Sequence, residues 1–278
     1  MRCHKEETQR CFRARIRAGE PEHNMVSTYT GYQQTVRDLP RSLEVAASDG
    51  FVAREVDYYS ENIGNVKSID DLLEDTRLFN FVMKAHGLEE MNYAKALVRK
   101  VFEGGRDDND AFVNRMADQR YRDLAETFDF KRYDTATTSF TRAQQGTVDK
   151  YIRQTLEENL GAQNEGIRLA LYFERKAPQI DSVEAILADR ALSVVVRQAL
   201  QIPEATAFLD IDKQVELISE KLDIADFQDP EKLSKFIDRY AFLRDAANPQ
   251  TSQAGLLFNT GSAFGVSTDL LLTIQTLR

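Results

Sequence analysis

The sequence predicts an all-α protein made of two related multi-helix units in tandem, followed by a short C-terminal segment that periodicity leaves open between strands and a last helix. Three observations carry this. Apolar residues recur at helical spacing through almost the whole chain. Proline and glycine are sparse, 6 and 13 in 278 residues, so few positions interrupt a helix. The chain also matches itself: residues 54–88 align without a gap on residues 168–202, an offset of 114.

The individual helices follow from period and caps. Val148, Ile152, Leu156, Leu160, Ile167 and Leu171 step by three, four or seven, which predicts one long helix over 147–176 ending before Pro178. Ser182 stands as an N-cap before Val183, Ile186 and Leu187. In Asp229-Pro230-Glu231 the aspartate is a natural cap and the proline a natural first residue, and Leu233, Phe236, Ile237, Tyr240 and Leu243 then share a face. Phe112, Met116, Arg120, Leu124 and Phe128 predict a similar helix after the turn-rich segment 104–110.

The internal match is specific. Eight of its 35 columns are identical, where unrelated sequence gives about two. The identities are Arg54/Arg168, Tyr58/Tyr172, Ser68/Ser182, Leu73/Leu187, Asp75/Asp189, Leu78/Leu192, Val82/Val196 and Ala85/Ala199. The expected organisation is an N-terminal extension over 1–24, a first unit over 25–130, a connector over 131–145, a second unit over 146–246 and a tail over 247–278. The extension holds both cysteines and two of the three histidines, and carries six basic and four acidic residues against a net charge of −9 for the chain. The expectation is a non-native or disordered extension, with the working protein starting at Met25.

Bulk properties narrow the function classes. Net charge −9 opposes a phosphate backbone, so nucleic acid is not an expected partner. Apolar runs such as 270–272 are far too short for a membrane span. No phosphate-binding glycine loop and no serine or cysteine triad pattern is present. Segment 107–112 lacks the glycine and the closing glutamate of a calcium loop. No catalytic residue, metal ligand or cofactor is therefore expected, and the chain reads as a non-enzyme.

The most chemical-looking stretch is 68–88, with Asp70, Asp71, Glu74, Asp75 and then His86. The internal match decides its reading. Asp71, Glu74 and His86 face Ala185, Ala188 and Leu200, and only Asp75 keeps its identity, at Asp189. Acids after a capping serine stabilise a helix start without any ligand. Two charges kept in both halves stand out: Arg54/Arg168 and Asp75/Asp189. They read as structural charges, in a salt bridge or helix-end hydrogen bond, or else as a ligand clamp. In the tail, Leu270, Leu271, Leu272, Ile274 and Leu277 form an apolar run that either packs back or binds a partner.

Segments 151–178, 186–203 and 210–240, read as YIRQTLEENLGAQNEGIRLALYFERKAP, ILADRALSVVVRQALQIP and DIDKQVELISEKLDIADFQDPEKLSKFIDRY, resemble an alphaproteobacterial family encoded among flagellar genes and built on a repeated helical domain of unknown function. The resemblance runs from about Met25 into the 240s. It implies a bacterial protein that meets flagellar components through protein–protein contacts, structural or accessory in flagellar assembly or motility. It implies no catalytic residue. A cytoplasmic chaperone or regulator of flagellar subunits is the first alternative; a small-molecule binder or enzyme using a cleft between the units is the second. The location is either the cytoplasm or the flagellum after export, for which segment 25–40 could serve as an unfolded signal.

Overall fold

The computed structural model describes residues 26–248, apart from Asn109, and every regular element among them is helical. The helices are α1 (Thr28–Arg37), α2 (Leu39–Ala47), α3 (Gly50–Asn62), α4 (Ile69–Glu74), α5 (Thr76–Ala85), α6 (Lys95–Gly104), α7 (Gln119–Thr127) and α8 (Phe130–Tyr133). They continue as α9 (Gln145–Gln163), α10 (Glu165–Lys176), α11 (Val183–Ala188), α12 (Arg190–Ala199), α13 (Ile211–Ser219) and α14 (Pro230–Ala247), with short 3-10 turns between them. The extension over 1–24 and the tail residues Leu270, Leu271, Leu272, Ile274 and Leu277 lie outside the described residues.

Short polar caps start most of these helices. Ser27, Asp38, Asp49, Ser68, Asp75 and Asp118 each accept a backbone N–H of the helix that follows, as Asp129, Asn164, Ser182, Asp189 and Asp229 do later. Ser68 and Asp71 form a reciprocal capping box, which accounts for one acid of the 68–75 cluster. Asp70 of the same turn pairs with Arg99 of α6.

The two matched segments share their backbone plan. Turns Ile63–Asn65 and Ala177–Gln179, helices α4 and α11, and helices α5 and α12 begin and end at positions 114 apart. Even the left-handed residue after the last helix recurs, as Gly87 at φ 68° and Gln201 at φ 54°.

Burial divides into two cores. The first runs from Val52 of α3 to Tyr151 of α9. Its centre is a stack of Tyr59, Phe81 and Tyr151, with ring centroids 4.2 and 3.9 Å apart. The second holds Ile167 of α10 through Ala241 of α14, with Phe173, Phe227 and Phe236 in mutual contact at 5.2–5.5 Å. Helix α9 serves both: Val148 and Tyr151 enter the first core, and Leu160 packs against the second.

Three local expectations need correction. The helix expected over 147–176 is two helices, broken at Asn164, which takes φ −154° and ψ 111° and caps α10 through Gly166 N. Asn164 also donates to Val26 O at 2.8 Å, so the break serves the docking of α1. The helix expected from Phe112 to Phe128 begins only at Gln119, because Phe112–Arg115 is a 3-10 turn and Met116 is extended. Residues 131–145, expected as a connector, are packed: Ala143 belongs to the first core, and buried Thr138 donates to Val66 O at 2.9 Å.

Helix α1 falls with the first unit in chain order but packs on α10 and α14 of the second. Its N-terminus is held by Asp245 of α14, which accepts from Thr28 N at 2.8 Å, Tyr29 N at 3.0 Å and Ser27 Oγ at 2.9 Å. Tyr32 then enters the second core. The approach is close at Gly166, where a Cβ would lie 2.5 Å from Thr28 Oγ1 and 2.6 Å from Arg244 Cδ. Gly166→Ala is therefore expected to destabilise the protein by about 1–3 kcal/mol in urea denaturation, through displacement of α1.

Candidate functional site

A cleft of about 960 Å³ opens where the two halves meet. Helices α5 and α7 of the first half line one side, α10 and α12 the other, and α9 supplies Lys150, Gln154 and Glu158 between them. The sequence-based candidates divide here. Arg168 and Asp189 both line the cleft, whereas Arg54 and Asp75 do not.

The paired aspartates do the same work in each half. Asp75 Oδ1 accepts from Arg77 N and Leu78 N, both at 2.9 Å, and its Oδ2 accepts from Tyr58 OH at 2.7 Å. Asp189 Oδ1 accepts from Ala191 N at 2.8 Å and Leu192 N at 3.2 Å, and its Oδ2 accepts from Tyr172 OH at 2.6 Å. One carboxylate thus caps α5 or α12 with one oxygen and ties it with the other to α3 or α10, two helices back. Burial and the Asp189 carboxylate raise the Tyr172 phenol well above its ordinary value, so it stays a hydrogen-bond donor. The matched arginines are not the partners of these aspartates. Arg168 pairs with Glu165 at 2.5 Å, and Arg54 lies exposed on α3.

The floor of the cleft holds a different group. His86 closes α5 and is buried. Its Nδ1 lies 2.9 Å from Val82 O, so that nitrogen carries the proton and Nε2 is left to accept. Lys150 Nζ donates to His86 Nε2 at 3.2 Å and to Thr127 Oγ1 at 3.0 Å. Thr127 spends its own hydroxyl proton on Asp123 O, at 2.8 Å. Burial, with the Lys150 ammonium adding to it, pushes the His86 imidazole down to about 3. Burial also lowers Lys150 below the ordinary amine value, opposed by the Asp123 carboxylate.

The other cations of the cleft are paired, except the exposed Arg190. Arg120 meets Asp118 at 2.8 Å, and Lys176 meets Asp123 at 2.7 Å. Arg175 meets Glu157, which is 1% exposed and also bound by Arg153, at 2.8 Å. Glu158 is held by Lys84 at 2.9 Å. Among the described residues, no group of three histidine, cysteine, aspartate or glutamate side chains is placed to hold a metal ion.

Sequence reasoning set His86 aside and did not single out Lys150, Arg120 or Lys176. The site is assembled from five separate stretches, so no local motif marks it. One signal was present: His86 faces Leu200 in the internal match, a difference between halves that a purely structural position does not require.

A family model described as a protein of unknown function, DUF1217, matches residues 85–233, more than half of the chain. The chain belongs to this family. Every residue lining the cleft, from Ala85 to Val194, falls inside the DUF1217 region. The crystal structure of protein AGR_C_984 from Agrobacterium tumefaciens is similar to this DUF1217 member at 45% identity, covering 84% of this chain and 99% of that one with a TM-score of 0.74. No curated protein matches the chain.

Two outcomes test the geometry. Asp189→Ala removes a cap and strands the Tyr172 hydroxyl, with an expected loss of about 2–3 kcal/mol. Tyr172→Phe alone is expected to cost about 1 kcal/mol, and the double-mutant cycle to show a coupling of at least about 0.5 kcal/mol.

The second concerns pH. An unfolded histidine titrates near 6.5, but His86 in the fold stays neutral down to about 3. The unfolded chain takes the proton first, so this group's stabilisation is full above about 6.5 and falls as pH drops through that value. The expected loss is about 2 kcal/mol by pH ~5. Denaturation of His86→Leu, the residue found at the matched position 200, is expected to lack that part of the slope.

Proposed function

We propose that this DUF1217 protein is a non-enzymatic accessory of the bacterial flagellum that works through contacts with other proteins. The flagellar part rests on the family resemblance of segments 151–178, 186–203 and 210–240, and a relative from Agrobacterium agrees with the bacterial group. The contact part rests on one observation. Between the same pair of helices in each half, an aromatic side chain stands in solvent: Tyr93, 81% exposed before α6, and Phe208, 92% exposed before α13. Leu209 and Ile211 extend the second of these into an exposed apolar run. Large aromatics gain most by leaving water at an interface, and both rings stand largely in solvent.

Partners are therefore flagellar proteins rather than nucleic acid, and no helix among the described residues is long and apolar enough to cross a membrane. In the fold, residues 28–37 are docked on the second core, so export through an N-terminal signal would require α1 to detach.

Phe208→Ser is expected to leave stability within about 0.5 kcal/mol, because the side chain is exposed. It should sharply reduce recovery of flagellar proteins in an affinity pull-down from motile cells. Recovery of the protein itself in purified hook–basal bodies or filaments favours a structural part. Cytoplasmic recovery with bound subunits favours a chaperone or regulator. Normal swimming of the deletion strain, with no flagellar protein recovered, would overturn the proposal.

A further inference from the structure

Acids and bases both line the cleft, and one cation at its floor has no carboxylate in contact. Arg120, Arg168, Lys176 and Arg175 each have a carboxylate, and Asp189 is used by Tyr172 and by the start of α12. Three further lining charges, Glu89, Glu90 and Arg190, are exposed. Lys150 is the exception. It is half-buried, and among the described residues its hydrogen-bond partners are the neutral His86 ring and the Thr127 hydroxyl, with no carboxylate in ion-pair contact.

An ammonium has three N–H donors, and these two contacts use two of them. A partly desolvated cation with no carboxylate in contact is costly, and an anion delivered to it reduces that cost. The surroundings shape what kind of anion fits. Leu169, Ala188, Ala191 and Val194 bring apolar surface to the α10–α12 side of the same cleft. A pocket of this size with an apolar wall on one side and convergent polar groups on the other is of the kind that holds small molecules.

We propose that the cleft between the two halves binds a small organic anion, with a carboxylate or phosphate head on Lys150 and an apolar body against Leu169 and Val194. His86 holds Lys150 in place as a neutral acceptor, and Thr127, whose proton is committed to Asp123 O, does the same. Asp123, across its bond to Lys176, sets how strongly the floor attracts anions. The inference stands apart from the flagellar reading and does not depend on it.

The test uses the full chain and two probes, benzoate and inorganic phosphate, titrated at constant ionic strength against chloride. His86 ring resonances in proton–carbon NMR report the floor, since Nε2 accepts directly from Lys150. A saturable shift with at least one probe is expected, with benzoate the tighter if the head is a carboxylate and phosphate the tighter if it is a phosphate. Lys150→Gln should weaken binding at least about tenfold, and Lys150→Arg should retain it. Asp123→Asn, at a more exposed position, should tighten it severalfold. No saturable shift with either probe in the native sequence would overturn the proposal, as would unchanged affinity in both Lys150→Gln and Asp123→Asn.

Discussion

Helix α9 must satisfy two hydrophobic cores at once, and the rest of the molecule is arranged around that constraint. Its N-terminal half places Tyr151 in a three-ring stack with Tyr59 and Phe81, and its C-terminal half brings Leu160 to the second core. A helix committed at both ends fixes the spacing between the halves. Lys150 lies one residue before Tyr151 and so on another face of the same turn. The packing that buries the tyrosine thereby sets the lysine on the floor of the cleft.

Polar tethers then hold each half to its own core. Asp75 and Asp189 each spend one oxygen on a helix start and the other on a tyrosine two helices back, Tyr58 of α3 or Tyr172 of α10. Each pair adds a directed bond across the apolar contact between its two helices, and in the first half Arg77 of α5 adds an ion pair to Glu55 of α3 at 2.9 Å. Asp245 does a related job over a longer range, catching the first turn of α1 from the last helix. The buried Glu157, shared by Arg153 and Arg175, bridges α9 to α10 on the second-half side. Removing one partner from such a buried pair leaves an uncompensated charge, so these residues specify the arrangement more than they add to its stability.

Much of the local structure was legible because it depends on neighbours in sequence. Ser68, Ser182 and Asp229 announce helix starts by chemistry that acts within three residues. The match at offset 114 picked out Tyr58, Tyr172, Asp75 and Asp189 before any contact was visible, and left the aspartates between a salt bridge, a helix-end hydrogen bond and a ligand clamp. The tyrosines won because the two helices approach on the side of the ring, while Arg168 faces Glu165 within its own helix. The break at Asn164 was not legible. Nothing in the period of Leu160, Ile167 and Leu171 disfavours a continuous helix, and the residue that stabilises the kink, through Val26 and Thr28, comes from about 136 positions away.

The sequence by itself determined the all-helical character, the caps Ser68, Ser182 and Asp229 and the match between segments 54–88 and 168–202, since helical period, capping and internal identity are short-range properties of the chain. Only the tertiary structure decided that α1 crosses to the second core, that residues 131–145 are packed rather than linking, and that His86, Thr127 and Lys150 meet. Those outcomes depend on which apolar faces find one another across a hundred residues, and burial is a property of the assembled surface rather than of any segment.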